Sequence, residues 1–140
     1  MPTVTTNLYR QESAGGNVSL SGDSFNVSLM DSYVSATDTS ALKHVNYWSE
    51  VSANEVSGAT YSAMALSADT LSANSSDVVY WDGVNLTWTG VTVSPYGLAI
   101  YRPSDNLVVG FVEFDNAPIV AVNGSITISW NPAGIMNIFG

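Results

Sequence analysis

The sequence predicts an all-β protein of about eight antiparallel strands, arranged as a β-sandwich or a jelly-roll-like fold. Short runs rich in Val, Ile, Tyr and Thr recur along the chain, and each run is bounded by Gly, Asn, Asp, Ser or Pro, which is typical of strands and their turns. The 140 residues are 46% hydrophobic and 11% aromatic, which is enough apolar material for one core. We therefore expect one folded domain.

The alternation of apolar and polar residues locates the strands. Between Phe25 and Leu29 every second residue is apolar, which places these side chains on one face of a strand. The run 107–112 is apolar almost throughout, so we expect it to be a central strand covered on both faces. The predicted strands are 25–30, 61–66, 77–82, 86–93, 97–102, 107–114, 125–130 and 134–139.

Turn residues separate these strands. Asp82-Gly83 and Asn123-Gly124 are pairs that adopt the positive φ of tight hairpin turns, and residues 103–106 predict a four-residue hairpin loop. The β pattern lapses over residues 38–51. We expect one short helix or ordered loop there, with Asp38 or Ser40 as its N-cap.

The first sixteen residues end in a flexible Ser-Ala-Gly-Gly stretch, so we predict an N-terminal arm over 1–16 and a single β-sandwich domain over 17–140. The arm carries apolar side chains that a neighbouring subunit could bury. The C-terminus is also apolar, and Trp48 lies outside any clear strand. These features give a set of candidate contact residues, namely Val4, Leu8, Tyr9, Trp48, Ile138 and Phe139.

The charge of the chain is strongly acidic, with three Lys and Arg residues against twelve Asp and Glu residues and a net charge of −9. Nucleic-acid affinity depends largely on Lys and Arg, so DNA or RNA binding is excluded. Only 11% of the residues are charged, and a surface so poor in Lys is weakly protected against association. We therefore expect a protein that functions as a subunit of a larger assembly. The sequence shows no signal peptide and no apolar run of membrane-spanning length, which predicts a soluble chain without a membrane partner.

Residues that could catalyse a reaction or bind a metal ion are scarce. There is no cysteine and one histidine, His44, so thiolate metal sites and histidine-rich zinc sites are excluded. Glu113 and Asp115 lie two residues apart and would share a strand face, but no third oxygen ligand accompanies them. We predict no enzyme activity, no cofactor and no metal. Sugar binding is an open alternative, and Trp48 is the candidate aromatic side chain to stack on a sugar ring because it lies outside any clear strand.

A set of motifs with a defined spacing runs along the chain. The most specific one is Tyr47-Trp48-Ser49-Glu50-Val51 followed by an Asn54-Glu55 pair that precedes a Gly58-x-x-Tyr61 turn, and the strand 25–30 comes before it. The further motifs are Val84-Asn85-Leu86-Thr87-Trp88, the strand 96–101, Val109-Gly110-Phe111 and Gly134-Ile135. In this pattern the chain resembles small structural proteins of tailed bacteriophages. The resemblance covers most of the chain from about residue 20 onward and depends on the spacing of these motifs. One departure is Ser62-Ala63-Met64, where the related pattern has glycines.

This resemblance implies a virion protein made in the host cytoplasm, commonly a head decoration or cement protein on the outer surface of the capsid. Its implied partners are the major capsid protein and further copies of itself in a homotrimer. Two alternatives remain, a tail or adhesion component with a carbohydrate-binding β-sandwich and a head-tail adaptor. The candidate contact residues would then face the capsid or a neighbouring subunit.

Overall fold

The computed structural model describes residues 3–66, 70–73, 79–130 and 136–139. These residues form antiparallel sheets with few short helices, which confirms the predicted all-β class. The strands are β1 (Thr3–Thr5), β2 (Phe25–Met30), β3 (Met64–Leu66), β4 (Thr70–Ala73), β5 (Val79–Asp82), β6 (Leu86–Val93), β7 (Gly97–Arg102), β8 (Leu107–Glu113), β9 (Ala121–Ile128) and β10 (Met136–Phe139).

The helices are more numerous than the single one expected. The expected helix is present as α3 (Thr39–Leu42), and the Asp38 side chain caps it by accepting a hydrogen bond from the Ser40 backbone N–H at 3.1 Å. No helix of the described residues is long and apolar enough to span a membrane. The helices are α1 (Asn7–Ala14), α2 (Tyr33–Ala36) and α3 (Thr39–Leu42), followed by the 3-10 turns Trp48–Glu50 and Ser52–Asn54.

A five-stranded main sheet organises the molecule, with the strand order β1-β8-β7-β2-β3. Its second strand, β8, is buried from Leu107 to Val112, as its continuous apolar sequence predicts. The hairpin between β7 and β8 turns through residues 103–106, also as predicted, and Asn106 takes the positive φ of 64° that ends the turn.

Both faces of the main sheet are covered, by different kinds of structure. On one face, Val27, Leu98 and Ile100 pack in a core shared with the inner side of β6 and β9, which pair as a two-stranded ribbon. On the other face, a smaller core joins the sheet to the helical segment 33–54. The result is a β-sandwich-like arrangement with a helical layer on its outer side.

A third sheet, of order β10-β5-β4, contributes to the larger core. Trp81 of β5 is fully buried and meets the Phe25 ring edge to face, with 5.2 Å between the ring centroids. Of the strands predicted at 77–82 and 134–139, residues 77, 78, 134 and 135 lie outside the described residues.

Two of the predicted hairpin turns are wrong. Asn123-Gly124 lies inside β9, where the register between Val91 and Val93 shifts and Asn123 adopts a φ of 48°. The positive φ therefore serves a β-bulge, which inserts one residue in a strand without ending it. Asp82-Gly83 connects β5 to β6, and these strands lie in different sheets, so the pair joins two layers and closes no hairpin.

The predicted N-terminal arm is also wrong, because β1 is a strand of the main sheet. Val4 pairs with Phe111 of β8, and α1 follows directly. Thr6 fixes this junction: its buried hydroxyl donates to the Val108 carbonyl at 2.6 Å and accepts from the Tyr9 backbone N–H at 3.2 Å. The sequence missed the strand because three residues are too few for a recognisable alternation.

Replacement of Gly110 by alanine tests the attachment of β1. A Cβ at this position would meet the Val4 carbonyl and force β1 away from β8, so Gly110→Ala should lower the free energy of unfolding by roughly 1–3 kcal/mol. The matched control is Gly124→Ala in β9, where the nearest atom to the new Cβ lies at 3.7 Å and little change is expected. Urea denaturation measures both variants. Equal stability of the two proteins would contradict the close packing of β1 on β8.

Candidate functional site: an uncharged side of the molecule

The structure corrects the contact residues predicted in the N-terminal segment. Val4 lies in the core beneath the helical layer, and Tyr9 lies in the larger core; both are almost fully buried within the chain. Leu8 is half-buried and packs against the larger core. Because these side chains already have intramolecular partners, they are poorly placed to contact a neighbouring subunit.

Trp48 is held by an aromatic partner within the chain. Its ring stacks on Tyr101 with 4.5 Å between centroids and an interplanar angle of 3°, and its backbone N–H donates to the Asn106 carbonyl at 2.7 Å. One face of the indole is therefore occupied. The backbone at Ile138 and Phe139 belongs to β10, which pairs with β5, while their side chains lie outside what the structure describes.

The outer face of the β6–β9 ribbon is exposed and uncharged. The inward residues of the two strands, such as Trp88 and Ile126, lie in the larger core, and the alternate residues point away from it. Thr87 and Thr127 form a cross-strand pair on the outer face, with their hydroxyl oxygens 3.0 Å apart. The exposed residues of this face are Thr87, Thr89, Thr92, Val122, Asn123, Ser125 and Thr127.

Exposed aliphatic side chains flank this face. Val122, the second residue of β9, is 75% exposed, and Val120 and Ile119, which precede the strand, are 64% and 37% exposed. Val84, 49% exposed, lies just before β6, at the opposite end of the ribbon. Ile119, Val120 and Val122 therefore place three exposed aliphatic side chains close together in sequence at one end of the ribbon, while Val84 is isolated at the other end.

The sequence carries a signal for this surface in the distribution of its charged residues. Residues 83–101 contain no Asp, Glu, Lys, Arg or His, and neither do residues 116–140. β6 and β9 both fall in these segments, and they pair in the fold. The described parts of these stretches that form β6 and β9 therefore lie together as an uncharged ribbon on a protein that carries a net charge of −9.

The strongest charge cluster lies on the main sheet and is satisfied internally. Arg102 forms ion pairs with Asp23 at 2.7 Å and Asp105 at 2.8 Å, and it also donates to the Asn17 carbonyl at 2.9 Å. The backbone N–H of Ser19 and the Arg102 guanidinium lower the pKa of Asp23 below its usual value of 3.8. Arg102 likewise lowers the pKa of Asp105. This cluster ties the 17–23 segment to the β7–β8 hairpin.

The residues that were candidates for catalysis or metal binding do not lie together in the structure. His44 is exposed, and its Nδ1 lies 2.6 Å from the Ser40 carbonyl oxygen. Glu113 and Asp115 line separate clefts of about 250 and 260 Å³, so they do not form the expected shared face. In the part of the chain that the structure describes, no group of three or more His, Asp or Glu side chains is placed to hold a metal ion.

Comparison with known proteins adds no further information. No protein-family model matches the chain, and no curated protein or solved structure matches it either.

The Arg102 cluster predicts a pH-dependent contribution to stability. A depressed carboxyl pKa stabilises the fold at a pH above the unfolded value, and this contribution is lost as the pH falls through the folded pKa. Arg102→Gln should cost roughly 1–2 kcal/mol at pH 7, discounted for the exposure of Asp23 and Asp105. The cost should shrink as the pH falls below 3.8 and these carboxylates become protonated.

Thermal denaturation between pH 7 and pH 2.5 measures this cost. Arg10→Gln is the control because Arg10 is exposed and its side chain contacts Asn7 of the same helix. A difference between the two variants that stays constant over the whole pH range would show that the ion pairs do not stabilise the fold.

Proposed function

We propose that this protein is a capsid decoration protein that binds the outside of a tailed-phage head and stabilises contacts between major capsid subunits. The observation that supports this proposal best is the uncharged, partly aliphatic side formed by the β6–β9 ribbon on an otherwise acidic protein. The phage resemblance of the sequence points to the same role. The protein would act as a homotrimer at local three-fold positions of the shell, with no nucleic acid or cofactor involved.

The physical basis of such a role is the placement of charge. A protein of net charge −9 is repelled by an acidic shell unless the contact surface itself carries no charge. The ribbon presents hydroxyl, amide and aliphatic groups, which gain free energy from close packing and hydrogen bonding with little dependence on salt. Copies that each bridge neighbouring capsid subunits must all be released before the shell opens, so individually weak contacts act together.

The sugar-binding alternative has less structural support. A carbohydrate site needs a free aromatic face, and Trp48 uses one face for stacking on Tyr101 within the chain. A tail component or a head-tail adaptor would be present in few copies per particle, whereas a decoration protein covers the shell. Copy number therefore separates these functions.

Shells that lack this protein should melt or burst at a lower temperature than complete shells. Purified protein added back should bind saturably and at high copy number, and it should restore thermal stability by ligand linkage to the intact shell. Binding should change little with added salt. Differential scanning calorimetry and quantitative gel densitometry of the particles measure these effects. A low copy number confined to the tail or its junction would overturn the decoration proposal.

A charge placed on the ribbon should weaken shell binding. Thr89→Glu adds a carboxylate to the centre of the uncharged face and should reduce affinity for the shell by at least about tenfold, because it must be desolvated against an uncharged or acidic surface. Ser40→Glu adds the same charge at an exposed hydroxyl on the helical side and should bind like the parent protein. Equal loss of binding in both variants would refute the assignment of the face.

A further inference from the structure

The edges of the main sheet and of the ribbon differ in length. The edge strands of the main sheet, β1 and β3, are three residues long, and short edges offer few backbone groups for pairing with another chain. The ribbon strands β6 and β9 are each eight residues long, and neither contains a charged residue or a proline. An uncharged edge of this length is the kind that recruits another strand.

The outer edge of β6 is covered by the chain itself. The Thr60 hydroxyl donates to the Gly90 carbonyl at 2.6 Å, and the Trp88 indole N–H donates to the Ser62 carbonyl at 2.7 Å. Gly58 lies so close that a Cβ there would stand 2.5 Å from the Thr92 carbonyl oxygen. The segment 58–62 therefore occupies the side of β6 that faces away from β9.

Among the described residues, β6 is the one strand that pairs with β9. The edge of β9 that faces away from β6 therefore has no strand partner among these residues. Successive β9 residues on both faces of the strand, Thr127 and Ile128, line a groove of about 260 Å³ together with Phe114, Asp115 and Ile119. The groove lies at the C-terminal end of β9, between this strand and the segment 114–119. At the N-terminal end of β9, Val122 is exposed on the strand and the exposed Val120 immediately precedes it.

We propose that the open edge of β9 is the surface through which copies of this chain associate, by addition of an extended strand of a second copy. The inference deepens the decoration proposal and rests on it for its biological setting, since assembly on a shell is where the copies would meet. Backbone hydrogen bonds along the edge would provide affinity, and burial of Ile119, Val120 and Val122 would add an apolar contribution.

The distribution of charge favours a second copy of this chain as the occupant of this edge. Every copy carries a net charge of −9, so two copies repel each other except where their facing surfaces lack acidic side chains. β9 is itself extended, uncharged and rich in β-branched residues, which makes it a suitable strand for the edge of its neighbour. Asp115, in the groove, disfavours an acidic segment as the occupant.

Sedimentation equilibrium of the purified full chain tests the inference directly. The parent protein should self-associate, and Val122→Glu should weaken the association by at least about tenfold because it places a carboxylate at the contact. Val84→Glu is the matched control, since Val84 is also exposed on the uncharged side but precedes β6, the ribbon strand that does not carry the open edge. It should associate like the parent protein. Far-UV circular dichroism confirms that all three proteins are folded.

A monomeric parent protein would overturn the inference, and so would equal behaviour of the two variants. Binding to stripped shells is measured separately on the same samples. If the parent protein is monomeric in solution yet binds shells at high copy number, the decoration proposal survives and the β9 inference fails. If the parent protein associates through β9 but does not bind shells, the inference survives and the decoration proposal fails.

Discussion

The burial of β8 on both faces is the constraint on which the rest of the structure depends. A strand with apolar side chains on both sides needs two covering layers, and its backbone groups need a partner strand along each edge. The ribbon and the helical segment 33–54 provide the two layers. β7 and β1 provide the two edges, which explains why a strand of three residues at the N-terminus is incorporated in the main sheet.

The surface follows from the same arrangement. The helical side and the loops of the main sheet carry charged groups, including the Arg102 cluster that joins the β7–β8 hairpin to the 17–23 segment. The ribbon must supply apolar residues to the core on its inner face and has no charged residue on its outer face. The described surface is therefore polarised, with charged groups on one side and the uncharged outer face of the ribbon on the other.

The sequence predicted the elements whose signal is local. The strands at 25–30, 86–93 and 97–102 have the predicted bounds, and the 103–106 hairpin forms as expected, because alternation and turn residues suffice to define them. β1 and the bulge at Asn123 were not predicted, because both depend on a distant partner strand. The same limit applies to the candidate site: Val4 and Tyr9 are apolar residues of a terminal segment, and the sequence alone does not show that they are buried within their own chain.

The junction between β1 and β8 also constrains how the chain is made. The Thr6 hydroxyl and the Val108 carbonyl that it contacts are 102 positions apart in the sequence. Synthesis runs from the N-terminus, so β1 leaves the ribosome long before β8 exists, and the main sheet is completed only after β8 has been made. Over that interval β1 has no strand to pair with, and the Thr6 hydroxyl has no Val108 carbonyl to contact. The N-terminal segment therefore enters the fold late, although it is the first to be synthesised.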